Sequence, residues 1–163
     1  MPIAPALRPR QKVCGFTIIE LMIAVIVVGV VASLAFPAFQ GAMRKSRRAE
    51  AFAALSAVQL AQERWRANKL NYTDQLTNAA NATPPGLGLA GSTPSGYYNI
   101  SLGATSATGY TALATAAGGT SQASDGDCAK LSVRVDVGNL LYGSATLTGV
   151  ISESAAGNKC WAR

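Results

Sequence analysis

A single carboxylate, Glu20, stands near the start of an apolar run that begins at Phe16 and continues to Phe39. From Leu21 to Phe36 no residue is charged. Wound as a helix at 1.5 Å per residue, Phe16 to Phe39 is about 36 Å long, enough to cross a bilayer. A carboxylate placed there costs about 2.5–3.5 kcal/mol on insertion scales, so Glu20 needs a partner or a role. No Lys or Arg lies within a helical turn of it. The segment therefore predicts a helix in an apolar phase, followed by a polar domain built from the rest of the chain.

The missing counter-charge can be made from the backbone. A cut between Gly15 and Phe16 would turn the Phe16 amide nitrogen into an ammonium one turn from Glu20, or from the Glu20 of a neighbouring copy. Residues 1–15 suit removal, because they carry Arg8, Arg10 and Lys12 with no acid and so hold this end in the cytoplasm. A secretory signal differs, since its cleavage site follows the apolar stretch. The run Cys14-Gly15-Phe16-Thr17-Ile18-Ile19-Glu20-Leu21 resembles the class III prepilin signal of type IV pilins and type II secretion pseudopilins. The resemblance implies cleavage by a prepilin peptidase after Gly15 and N-methylation of Phe16. It also implies polymerisation through the N-terminal helix, with Glu20 as the assembly carboxylate and Gly29 and Pro37 at the helix's flexible positions. The competing reading is a single-pass anchor with an incidental glutamate.

Three regions follow: a leader over 1–15, a transmembrane and assembly helix over 16–40, and a globular domain over 41–163 exposed to the periplasm and then the cell exterior. The chain has 14 basic and 8 acidic side chains, net +6, of which the leader contributes three cations; the mature chain is +3. Of the three cysteines, Cys14 belongs to the leader, so the even pair Cys128 and Cys160 reads as a disulfide in an oxidising compartment. Closing that loop restricts the unfolded chain by about 3.5 kcal/mol in the loop-entropy account.

Beyond the apolar run, the helix is expected to continue from Gly41 to about Asn68, free of Pro and Gly after its start. Ala51, Leu55, Val58, Gln62 and Trp65 recur at spacings of four and three, a narrow face suited to packing on a sheet, with Trp65 as a core anchor. Pro37 removes a backbone donor and should kink or loosen the helix. Arg44, Lys45, Arg47 and Arg48 read as a solvated or interfacial collar; the sharper alternative is a phosphate-binding turn. Residues 71–96, punctuated by Pro and Gly, read as an irregular connection. Strands are expected over Tyr97–Leu102, Gly109–Ala116, Leu131–Val137 and Leu140–Leu147, with a tight turn at Gly138-Asn139. The fold class is α+β, a long helix packed on a four-stranded antiparallel sheet with a C-terminal disulfide loop, which is also the pilin fold that the leader implies.

The segments around Cys128 and Asn158-Lys159-Cys160-Trp161, with Tyr97-Tyr98-Asn99-Ile100 and Tyr110-Thr111, resemble type IV pilins and look most like PilE-type minor pilins of the type IVa system. This implies a pilus subunit supporting pilus biogenesis, twitching motility and adhesion. Its partners would be other pilin subunits, the peptidase, the inner-membrane assembly platform and the membrane. The alternatives are a secretion pseudopilin and a pilus-borne receptor for DNA or a surface. Nucleic acid is permitted as a partner rather than indicated, because Lys130, Arg134, Lys159 and Arg163 are sparse.

Other motifs carry less. Gly86-Leu87-Gly88-Leu89-Ala90-Gly91 matches a dinucleotide fingerprint, but Pro84-Pro85 precede it where a strand is needed. Asp125 and Asp127 read as turn chemistry, with no cluster to hold calcium, so neither metal nor cofactor is expected. With no His and no nucleophile beside a base, catalysis is not expected. Three glycosylation sequons, at Asn71, Asn81 and Asn99, are short enough to arise by chance.

Overall fold

The structure is a computed structural model describing residues 15–154, 158, 160 and 161. Arg8, Arg10, Lys12, Cys14, Lys159 and Arg163 lie outside the described residues. The chain divides into two compact units between Gln40 and Gly41.

Helix α1 spans Ile18–Arg66. Its start is encoded locally: Thr17 Oγ1 accepts a hydrogen bond from the Glu20 backbone N–H at 3.2 Å, the Thr-x-x-Glu arrangement of a capping box. Glu20 thus sits in the first turn, where the helix dipole favours negative charge. The helix is unbroken through Pro37, where the sequence predicts a kink or loosening. The cost there is the donor that the Ser33 carbonyl loses. The helix ends at Arg66, two residues short of the expected Asn68, as the Asn68 N–H turns back to the Trp65 carbonyl at 3.0 Å.

In the second unit, four strands form one antiparallel sheet in chain order: β1 (Tyr98–Gly103), β2 (Gly109–Ala116), β3 (Lys130–Asp136) and β4 (Asn139–Ala145). All four lie within two residues of their predicted bounds. Alternation assigns one face of each of the first three strands to α1: Tyr98 and Ile100, then Tyr110, Ala112, Ala114 and Ala116, then Leu131, Val133 and Val135. They meet Ala51, Leu55, Val58 and Gln62, the stripe read from helical spacing. Three successive alanines on the inner face of β2 leave little side chain between sheet and helix. The larger Leu55, Leu131, Tyr98 and Tyr110 fill the space around them. Each such side chain contributes about 1.5–3 kcal/mol by leaving water.

Trp65 departs from its expected role. It is half-buried, and its indole N–H donates to the Asn71 carbonyl at 3.0 Å instead of entering the core. The aromatic that does close the core edge is Trp161, packed in tilted contact with Phe52 and Tyr142 at centroid distances of 4.5 and 4.6 Å and donating to the Gly143 carbonyl at 2.8 Å. It follows Cys160, which is disulfide-bonded to Cys128 across 32 residues. Both sheet edges are covered by short bridges, Ser92 to Asn99 beside β1 and Ser152 to Ser144 beside β4.

The β3–β4 turn is displaced from its predicted position. Asp136 pairs with Asn139, so the two loop residues are Val137 and Gly138, both at positive φ (48° and 80°). A tight hairpin needs that handedness, which Gly138 adopts freely and a β-branched residue does not. The left-handed conformation costs an L-residue about 1–2 kcal/mol, and the Val137 side chain is 72% exposed, with little packing in return. Val137→Asn should therefore raise unfolding stability by about 1 kcal/mol in chemical denaturation. A loss of stability would mean that the valine makes contacts this geometry does not show.

Candidate assembly helix and nucleic-acid interface

The first unit presents an apolar surface and little else. Phe16, Ile18, Ile19, Leu21, Met22 and the aliphatic residues onward to Phe39 are more than half exposed all round the helix. Such a surface is stable only in lipid or against other helices. By length and composition α1 is long and apolar enough to cross a membrane. Gly15 and Phe16 precede its first turn as exposed, non-helical residues, and a Cβ added at Gly15 would meet nothing within 4 Å among the described residues. The Glu20 carboxylate makes no ion pair among the described residues. Gly29 leaves open space beside the helix.

In the second unit, the basic turn is not a free collar. Arg48 makes a bidentate pair with Asp125, Nε to Oδ2 and Nη2 to Oδ1, both at 2.6 Å. Asp125 is 5% exposed, and its hydrogen bonds hold the Arg48 guanidinium above its ordinary pKa. Arg47 donates to Ser121 Oγ and lies 3.6 Å over the Tyr97 ring, while Arg44 reaches the Ser124 carbonyl at 3.5 Å. Buried Gln122 completes the network: its Nε2 lies within bonding distance of Asp125 Oδ2, the Tyr98 hydroxyl and the Arg44 carbonyl. Tyr98 in turn donates to the Cys128 carbonyl at 3.0 Å, and burial pushes its own hydroxyl pKa up. Three of the four collar cations therefore fasten the segment before β3 to α1, and Asp125 is an ion-pair partner rather than a free ligand.

The sheet-side cations are similarly engaged. Arg134 pairs with both Glu153 oxygens (2.7 and 2.5 Å) and with Asp136 at 3.0 Å, and Lys130 donates to the Gly149 carbonyl at 3.3 Å. Lys159 and Arg163, the other cations considered for phosphate, are outside the described residues.

Among the described residues, Lys45 is exposed on the basic turn, and a second group of outward-facing cations lies at the end of α1 and just beyond it. Arg64 and Lys69 are exposed, and Lys69 Nζ sits 5.7 Å over the Trp65 ring. Arg66 lies 5.8 Å over Tyr72 and donates to the Lys69 carbonyl at 2.8 Å. None of the three forms an ion pair among the described residues. Glu63, the nearest acid in sequence, accepts from the Tyr72 hydroxyl at 3.3 Å. Sequence reasoning misses this cluster because helical spacing assigns Trp65 to the core; the available signal is the interleaving of Arg, Trp, Arg, Asn and Lys over residues 64–69. The Gly86–Gly91 fingerprint is ruled out by its geometry. The N–H groups of Gly86, Leu87, Gly88 and Leu89 all bond to carbonyls of residues 75–79, leaving none of them to cradle phosphate.

Residues 37–132 match the family described as type IV minor pilin ComP, DNA uptake sequence receptor. The chain belongs to this family of type IV minor pilins. Residues 10–36 of the pilin also match the prokaryotic N-terminal methylation motif, a stretch that contains Gly15, Phe16, Glu20 and Gly29. It is 39% identical over 67 residues to the type IV major pilin protein PilA of Myxococcus xanthus, a match covering 41% of this chain and 30% of that protein. It is 46% identical over 46 residues to the fimbrial protein EcpC of Eikenella corrodens, covering 28% and 29% respectively. The pilin thus spans less than a third of either relative's length. The matched family stretch includes the whole Arg64–Lys69 cluster and stops before Arg134.

The Arg134–Glu153 pair gives a pH prediction for the pilin. Hydrogen bonding to Arg134 lowers the Glu153 pKa below 4.5, its ordinary value. A carboxylate with a depressed folded-state pKa stabilises the fold above its unfolded pKa and ceases to as pH falls through the folded value. Glu153→Gln should therefore lower the melting temperature at pH 7, and the gap to wild type should close below pH 4.5. A gap unchanged down to pH 2 would show that the side chain acts through packing instead.

Proposed function

We propose that this minor pilin is made with a leader over 1–15, cut after Gly15 by a prepilin peptidase and N-methylated at Phe16. It is held by residues 16–40 in the inner membrane, with its N-terminus cytoplasmic and its domain over 41–163 periplasmic. With the assembly platform it then polymerises with other pilins into an extracellular fibre that serves twitching motility and adhesion. Its role is structural and not catalytic. The observation that carries this reading is the exposed apolar helix surface whose one anion, Glu20, makes no ion pair among the described residues. In lipid, Glu20 is a cost; beside the Phe16 ammonium of a neighbouring subunit it becomes half of an ion pair in low dielectric, while helix replaces lipid around Leu21 to Phe39. Correct axial register is rewarded and a slipped register is penalised. Glu20→Ala should yield a cleaved, membrane-resident subunit depleted at least tenfold from sheared fibres by quantitative immunoblot. Normal incorporation would remove the ion-pair role.

A second reading, that the pilin also binds DNA, rests on the outward cations at the end of α1. The matched family's description names a DNA uptake sequence receptor. Arg64 and Lys69 are exposed cations that would contact phosphates, with the Trp65 ring beside Lys69 and the Tyr72 ring beside Arg66. Neutralising one phosphate-binding cation should flatten the dependence of log K on log salt by about 0.9. Arg64→Gln and Lys69→Gln should therefore each weaken duplex binding by the full-length chain several-fold at 50 mM salt and reduce that slope. Binding unchanged in the double variant would move the interface elsewhere.

A further inference from the structure

Two adjoining cavities of about 490 and 430 Å³ run along α1 beneath the 71–96 loop, sharing Ala57 and Leu89 as walls. The floor of this trough is a helix stripe of small residues, Ala54, Ala57 and Ala61, at the three- and four-residue spacing that stacks side chains along one face. From Ala54 to Arg64 the stripe rises about 15 Å. Leu87 and Leu89 form the opposite wall, and the four backbone hydrogen bonds from residues 86–89 to 75–79 hold that wall in place. The Gly86 backbone lies so close to Gln75 that an added Cβ would stand 2.5 Å from its carbonyl oxygen. The trough is therefore a preformed feature of the loop. Its middle is apolar, walled by Ala57, Ala61, Leu87 and Leu89, with Ser92 and Thr93 at one end and Asn68 at the other, and Leu60 on its rim is 53% exposed. The charged residues lining it, Arg64 and Lys69, stand together at one end with no acid beside them in the lining.

A long apolar slot with cations at one end selects its occupant by shape and charge. We infer that the trough binds a linear anionic amphiphile, an aliphatic chain laid on the alanine stripe with its carboxylate or phosphate held by Arg64 and Lys69. The volume of either cavity lies within the range of small-ligand sites, and the charged groups, confined to one end, would orient the ligand. The chemistry is shared by a free fatty acid and a single-chain phospholipid. It goes beyond pilus assembly and nucleic-acid binding, although it draws on the same two cations.

The test is titration calorimetry on the full-length chain held in peptidiscs. The ligands are palmitate, a lysophosphatidic acid of the same chain length, hexadecanol and inorganic phosphate. Saturable binding of palmitate or the lysophospholipid at one per chain is expected, the tighter of the two identifying the source. Hexadecanol and inorganic phosphate should each bind at least tenfold more weakly. Ala57 is exposed, so Ala57→Phe fills the trough without entering the core, and it should reduce palmitate affinity at least tenfold. Leu60→Ser, which removes apolar wall without adding bulk, should reduce it several-fold. Palmitate binding unaffected by either variant, or hexadecanol binding as tightly as palmitate, would overturn the assignment. Both variants keep Arg64 and Lys69, so failure here leaves the nucleic-acid reading standing, and the reverse also holds.

Discussion

The bidentate pair between Arg48 and Asp125 is the constraint on which the globular unit depends. An aspartate only 5% exposed is tolerable because a guanidinium meets both its oxygens, and losing that partner would leave a desolvated charge. Through Gln122 and Tyr98 the same pair reaches the Cys128 carbonyl, so the helix, the first strand and the start of the disulfide loop meet in one polar network. Hydrophobic burial alone would let the alanine-faced sheet slide under α1, because small side chains interlock weakly. A directional network beside that face supplies the register that the alanines lack.

Among the described residues, the positive charge falls largely into two populations. Arg44, Arg47, Arg48 and Arg134 are engaged by the protein's own acceptors, and their job is to hold segments together. Lys45 on the basic turn, Arg64 near the end of α1 and Lys69 just beyond it face solvent. Net charge says nothing of this division; only the positions of the carboxylates and carbonyls decide which cations remain open to a partner.

Legibility in sequence follows the range of the interaction. The apolar run and the buried stripe Ala51, Leu55, Val58 and Gln62 are readable because helical spacing is local, and the strands because alternation is local. Cys128 and Cys160 pair as parity suggests. What cannot be read is any choice between near-equivalent residues settled by distant contacts. Two tryptophans stand near the two ends of the globular unit, and nothing local says that Trp161 closes the core while Trp65 stays half-buried. The β3–β4 turn falls one residue from its predicted place because Gly138-Asn139 is good turn chemistry, whereas the strand register puts Val137 in the turn at some conformational cost. The basic turn looks like a collar because its acceptors, Ser121, Ser124 and Asp125, lie more than seventy residues away.

The two short bridges that cover the sheet edges bear on how subunits can be packed together. An open strand edge is a template for another chain's backbone, and crowding many copies side by side would make that association hard to avoid. With Ser92 beside β1 and Ser152 beside β4, each outer strand already spends part of its ladder on its own chain. Copies held at the density of a fibre would then be joined by side chains and helix surfaces, associations that can form and come apart reversibly, while cross-β growth, which is effectively permanent, is discouraged.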